Sequence, residues 1–309
     1  MAYHRRGSRP QGRLLGRWPQ PGARSGPANP AAGPGPARLG SGRVRARVTV
    51  EGVTGTGRAA LSLRGLYKRF GLKVAVAGVD LDVPAGSFYG LLGPNGAGKT
   101  TTLSMAVGLL RPDAGRAWVL GHDVWADPVN AKRRLGVLPD GMRLFDRLSG
   151  AELLGYTGLL RGMDPATIDQ RSRELLDVLA LGDAGRTLVV DYSAGMKKKI
   201  GLACAMLHAP RLLALDEPFE AVDPVSAALI RDILQRYVGG GGTVIFSSHV
   251  MEVVERLCTH VAILDAGGLK TVGTLDEVRG ARPLEDVFVE VVGGRTATGS
   301  ELSWLEAGQ

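Results

Sequence analysis

Between residues 93 and 100 the chain reads Gly93-Pro94-Asn95-Gly96-Ala97-Gly98-Lys99-Thr100, followed by Thr101. Two glycines five apart, the second followed by Lys-Thr, set a strong constraint. Glycine tolerates left-handed turns and lets backbone N–H groups come close to an anion. Before the loop, Ser87-Phe88-Tyr89-Gly90-Leu91-Leu92 reads as a buried strand. After it, Thr101 to Leu110 reads as a helix with its N-terminal dipole facing the loop. Strand, glycine-rich loop and helix together form a cradle for a polyphosphate. Lys99 would reach the β- and γ-phosphates, and the Thr100 hydroxyl would ligate Mg²⁺. A glycine-rich turn that merely precedes Lys-Thr is the bland alternative, and the flanking elements argue against it. The fold class is therefore α/β.

A polyphosphate loop specifies a nucleotide and little else, so a second motif is needed. Leu212-Leu213-Ala214-Leu215-Asp216-Glu217 is an apolar strand ending in two carboxylates. In open α/β sheets such strand ends face the ligand. Asp216 suits a Mg²⁺ ligand, direct or through water, and Glu217 a general base acting on water. Alone, Asp-Glu-Pro reads better as a surface turn. With the phosphate loop upstream, the chemical reading prevails.

The third element is Tyr192-Ser193-Ala194-Gly195-Met196-Lys197-Lys198-Lys199. Ser193 caps a helix there, and the N–H groups of Ala194 and Gly195 make its N-terminus an anion site in its own right. The stretch resembles the signature motif of the ATP-binding cassette (ABC) ATPases. Other parts of that family's set stand in order around it. Phe70 resembles the aromatic that stacks on adenine. Asp223 resembles the aspartate of the dimer interface. His249, in Ser247-Ser248-His249, resembles the switch histidine that contacts the γ-phosphate. The resemblance spans residues 61 to 280 and is similar to ATP-binding subunits of bacterial drug or antibiotic exporters.

That resemblance implies a P-loop nucleotide triphosphatase core with an inserted helical subdomain and a small N-terminal β subdomain. It implies ATP and Mg²⁺, with Lys99, Glu217 and His249 as catalytic groups. It also implies a head-to-tail pair, as a homodimer or with a sibling ABC subunit. In that pair Ser193, Ala194, Gly195 and Asp223 serve the other molecule's ATP. A separate membrane-spanning permease would be driven, for export, with this chain on the inner face of the membrane. Three positions depart from the family's pattern. Ala194 replaces a glycine of the signature, Met196 a glutamine, and Asp140 the glutamine that follows an early strand. Asp140 is thereby a further candidate Mg²⁺ ligand, although Pro139-Asp140-Gly141 also reads as a plain turn.

Composition bounds the rest. Of 309 residues 44% are hydrophobic, enough for a globular core. The formal charge of +8 is unevenly held: eleven arginines and one glutamate give residues 1–60 a charge of +10, leaving −2 for the remainder. That Arg/Gly/Pro/Ala-rich stretch cannot bury enough surface to order itself and is expected to be a disordered, solvated tail. No specific nucleic-acid partner is expected from it. No apolar run reaches the eighteen or so residues of a membrane span, and no secretory signal is visible. Cys204 and Cys258 make no disulfide framework, which suits a reducing compartment. Both cysteines, His208 and His260 read as filler, and Lys197 to Lys199 as a solvated helix face.

The folded part is expected over 61–280, with the helical subdomain over about 145–210 and a short appendage over 281–309. Tyr67 to Gly71 reads as a turn between strands at Leu61–Leu63 and Ala75–Val83. A rival function is a soluble ABC protein working on nucleic acid or ribosomes. Such relatives carry two cassettes or a long coiled coil, and neither is present.

Overall fold

The computed structural model describes residues 59–293. The tail expected over residues 1–60 lies outside them, apart from its last two residues, which open the first strand. Strand β1 (Ala59–Phe70) pairs antiparallel with β2 (Lys73–Pro84). In β2, Val79, Leu81 and Val83 are buried while Asp80 and Asp82 face solvent, the period-2 pattern of a half-covered sheet. Strands β4 (Ala114–Val119) and β5 (His122–Asp123) complete a sheet of order β2-β1-β4-β5. The turn expected at Tyr67 to Gly71 is shorter than the sequence suggested. Tyr67, Lys68 and Arg69 still pair with Ala77, Val76 and Val74, with a register shift between Lys68 and Arg69, and the chain reverses only at Gly71-Leu72. Asp113 holds the end of β1 by accepting from Lys68 Nζ at 2.8 Å and from the Arg69 amide at 2.9 Å.

The second sheet carries the site. Its strands are β3 (Phe88–Leu92), β6 (Leu135–Leu138), β7 (Leu212–Leu215), β8 (Thr243–Ser248), β9 (His260–Asp265) and β10 (Gly268–Thr274). Their order is β10-β9-β3-β8-β7-β6, parallel except for β10 at the edge. Every residue of β3, β7 and β8 is buried, as expected for central parallel strands covered on both faces. Alternation divides the core. Phe88 and Leu92 point into one apolar cluster, shared with the helical subdomain. Tyr89 and Leu91 point into another, shared with the β1–β2–β4 sheet.

Helix α1 (Lys99–Ala106) follows β3. It stops short of the expected Leu110, because the chain turns left-handed at Gly108 (φ 76°). Helix α2 (Pro128–Arg133) leads into β6. The inserted subdomain comprises α3 (Gly150–Leu160), α4 (Pro165–Val178) and α5 (Ala194–Met206). Each is capped by a side chain the sequence places there: Ser149 in a capping box with Glu152, Asp164, and Ser193. Helices α6 (Pro224–Gly239) and α7 (Met251–Leu257) cover the sheet. The packed body does not end at residue 280. After α8 (Leu275–Arg279), helix α9 (Leu284–Val292) buries Leu284 in the first cluster, with Phe288 and Val291 packed against it.

Candidate functional site

Strand β3 delivers the phosphate loop to the carboxyl edge of the sheet, and α1 carries its end away. Gly96 (φ 82°) and Gly98 (φ 105°) adopt left-handed conformations that a side chain would resist. A Cβ on Gly98 would stand 2.5 Å from the Ala75 carbonyl oxygen, so glycine is required there for space as well. Lys99 is buried at 6% exposure. Its ammonium donates to the Gly93 carbonyl at 2.7 Å and lies 3.5 Å from Glu217 Oε1.

The loop opens into a cavity of about 330 Å³. Pro94 to Gly96, Lys99, Thr100 and Thr101 form one wall, and Asp140, Glu217, Glu220 and His249 the other. Phe70 stands at the rim, half exposed, with the Lys68 ammonium 5.7 Å from its ring centroid. Lys73 also lines the cavity, so both ends of the β1–β2 turn reach it.

Glu217 is the most constrained residue of the site. It follows β7 in a left-handed conformation (φ 45°), which for a non-glycine residue costs about 1–2 kcal/mol. Contacts on every side hold it there. Its amide donates to Ser247 Oγ at 2.8 Å, and its carbonyl accepts from Lys198 Nζ at 2.8 Å. His249 Nδ1 lies 3.1 Å from Oε2, opposite Lys99 on Oε1. Ser247 Oγ in turn donates to Asp216 Oδ1 at 2.5 Å. Asp216 is buried behind this shell and does not line the cavity, whereas Asp140 does. Asp140 Oδ1 lies 3.6 Å from Lys198 Nζ.

The signature residues are not brought to this cavity. Ser193 and Ala194 are exposed, Gly195 packs within reach of Asp223, and none of the four lines the pocket holding Lys99. Ser193 caps α5 by accepting from the Met196 amide. Asp223 caps α6, and the bond from the Ser226 amide holds its carboxyl below the usual range. The expectation of a solvated face at Lys197 to Lys199 needs correction. Lys198 points inward to Glu217 and Asp140, and Lys199 is buried at 7% exposure, so this is no solvated face. Ser247, Lys198, Lys73 and Glu220 are the site residues that sequence reasoning missed. Only Lys198 left a trace, as a lysine just past a helix cap in a chain where Asp140 brings an extra acid.

The donor set suits a hard cation. Thr100, Asp140 and Asp216 offer oxygens alone, and Mg²⁺ takes one or two carboxylates with phosphate oxygens and water. Among the described residues no group of three or more His, Cys, Asp or Glu side chains is arranged to hold a metal by itself. The oxygen set therefore fits an ion that arrives with a polyphosphate.

A parallel sheet with a phosphate loop after one strand and a carboxylate pair after another defines a P-loop nucleoside triphosphatase. The chain belongs to the ABC transporter family, as an ATP-binding, ATP-hydrolysing subunit: residues 76–220 match the model of the ABC transporter domain. It is 40% identical over 220 residues to the daunorubicin/doxorubicin resistance ATP-binding protein DrrA of Streptomyces peucetius, covering 71% of this chain and 67% of that one. Identity is 35% to the linearmycin resistance ATP-binding protein LnrL of Bacillus subtilis, covering 69% of each chain. It is 38% to the Nod factor export ATP-binding protein I of Cupriavidus metallidurans, covering 68% of this chain and 69% of that one. Among solved structures, the ATP-binding subunit of an ABC transporter superposes with a TM-score of 0.71 at 28% identity, over 75% of this chain and 99% of that one. A nucleotide-free ATP-binding cassette shares the fold with a TM-score of 0.65 at 21% identity, over 75% of this chain and 97% of that one.

Proposed function

We propose that this chain binds MgATP in the cavity beside Lys99, hydrolyses it with Glu217 as general base, and drives a separate membrane-spanning permease in export. The observation that carries the chemistry is the arrangement around Glu217: a carboxylate between Lys99 and His249, its backbone fixed from both sides, in the wall of the cavity that the phosphate loop lines. Phe70 at the rim offers a face for adenine. The loop amides of Gly93 to Thr101, with Lys99, would take the phosphates. Glu217 would accept the proton of the attacking water, and His249 would meet the γ-phosphate beside it. Thr100, and Asp216 through water, with Asp140 nearby, would hold Mg²⁺, which would supply positive charge for the β- and γ-phosphates.

Ser193, Ala194, Gly195 and Asp223 do not line the chain's own cavity, which supports their use on the ATP of a second copy. Export is supported by the names of the relatives, which refer to daunorubicin/doxorubicin resistance, linearmycin resistance and Nod factor export. Among the described residues no helix is long and apolar enough to cross a membrane, so a permease would supply the passage and hold the chain at the inner face.

Phosphate release from MgATP tests the assignment. Lys99→Ala should abolish turnover with melting unchanged, and Glu217→Gln should bind ATP but release phosphate about 10²–10⁴-fold more slowly. Wild-type turnover in either variant would overturn it.

A further inference from the structure

Strands β6 and β7 run parallel with Leu138 opposite Leu215. Two residues past each, at the same edge of the sheet, stand Asp140 and Glu217. One side chain spans this pair of loop ends. Lys198, on the second turn of α5, donates to the Glu217 carbonyl at 2.8 Å and lies 3.6 Å from Asp140 Oδ1. Its side chain is only 17% exposed, so the contact is not a loose surface pair. Helix α5 is held against β6 at the same place. A Cβ on Gly201 would stand 2.8 Å from Leu138 and 2.7 Å from Met142, which leaves α5 little room to shift.

The conformation of Glu217 makes this contact consequential. A left-handed glutamate tends to relax, and relaxation would swing its carboxylate away from Lys99 and His249. Ser247 holds its amide and Lys198 its carbonyl, so the peptide units on both sides of its Cα are fixed. Asp140 gives Lys198 a reason to stay. A carboxylate holds the ammonium by charge as well as by hydrogen bonding, and a neutral amide at position 140 would lack the charge.

We propose that Lys198 is a positioning residue for ATP hydrolysis, fixing the Glu217 backbone so that its carboxylate is aimed, with Asp140 as the anchor of Lys198. Because Lys198 lies on the helix that Ser193 caps, the helical subdomain is tied directly to the base of its own chain's site. Displacement of α5 relative to the sheet would release Glu217. The inference rests on the ATPase reading proposed above and deepens it.

The test compares steady-state hydrolysis with deuterium uptake in peptides covering residues 217–223. Lys198→Met should lower kcat about tenfold or more with KM for MgATP within about twofold, because Lys198 acts through Glu217. Lys198→Arg should restore most of kcat. In a Glu217→Gln background, Lys198→Met should add less than about a further twofold loss, since groups acting as one unit are not additive. Uptake over residues 217–223 should quicken in Lys198→Met without nucleotide. Asp140→Asn leaves the backbone contacts in place. It should lower kcat by about two- to fivefold with melting unchanged and, without nucleotide or Mg²⁺, quicken uptake over residues 217–223, a change that loss of a Mg²⁺ ligand would not produce; that uptake decides the matter if Lys198→Met fails to fold. An unchanged kcat and uptake, a rise in KM alone, or additive losses would overturn the proposal. A wild-type chain without turnover would refute the ATPase reading, while uptake would still decide the Lys198 contact.

Discussion

Ser247 has no catalytic chemistry of its own, yet it joins the two carboxylate residues of the site. Its hydroxyl accepts from the Glu217 amide and donates to Asp216, both in a place that excludes water. Ser247→Ala should therefore leave a buried acceptor and a donor unmatched. Urea denaturation should show a loss of about 1–3 kcal/mol, with kcat falling more than the ATP affinity. His208 is a second residue whose role comes from its surroundings. Burial, and next the nearby Arg161 charge, push its pKa down to about 4, and Nδ1 has no partner. The unfolded chain binds that proton near pH 6.5 and the native one only near 4, so this contribution to stability is full above 6.5 and is lost as pH falls through the window between them. His208→Gln, which keeps an amide donor for the Leu135 carbonyl, should lower the pH sensitivity of the urea midpoint across that window. Equal sensitivity in both proteins would exclude His208 as the source. Lys99, Asp216 and Glu217 were picked out in the sequence by their neighbours in the chain, and the fold gathers them, with Lys99 3.5 Å from Glu217 and Ser247 joining Glu217 to Asp216. Ser247 and Lys198 were not, because their partners lie 30 and 19 residues away and meet them only in the folded sheet.

Helices show a similar division. The cap at Ser193 was read because a side-chain oxygen three residues before a free amide is a local arrangement, and Ser149, Asp164 and Asp223 cap their helices in the same way. Helix α9 escaped notice although Leu284, Val287, Phe288 and Val291 make a helical stripe. Nine residues rich in valine are too short to hold a helix alone, and packing against the rest of the fold supplies what propensity does not. The end of α4 offers a test of how such elements are closed. Ala180 occupies the left-handed position (φ 50°) beyond the helix, and the Leu181 amide returns to the Leu176 carbonyl at 2.7 Å. Glycine relieves about 1–2 kcal/mol of left-handed strain and gives back about 0.4–1 kcal/mol through the freer unfolded chain. Ala180→Gly should thus raise stability by a fraction of a kcal/mol to about 1 kcal/mol. Thermal melting would show a higher midpoint, and a lower one would place the strain elsewhere.

For the molecule as a whole, the cavity beside Lys99 and the helix end at Ser193 are the two places we propose for one ATP, and one chain does not bring them together. A second copy, related head to tail, would set Ser193 and Gly195 against the ATP held by the first chain's loop. ATP would then be the main adhesive between the copies, and hydrolysis would release it. The dimer should accordingly be strongest where ATP binds but is not cleaved. Light scattering of Glu217→Gln, with and without MgATP, measures this directly. The expected result is a mass near that of a single 32.5 kDa chain without nucleotide and about twice that with MgATP. An ATP-saturated Glu217→Gln protein that remains a monomer at high concentration would contradict the shared site.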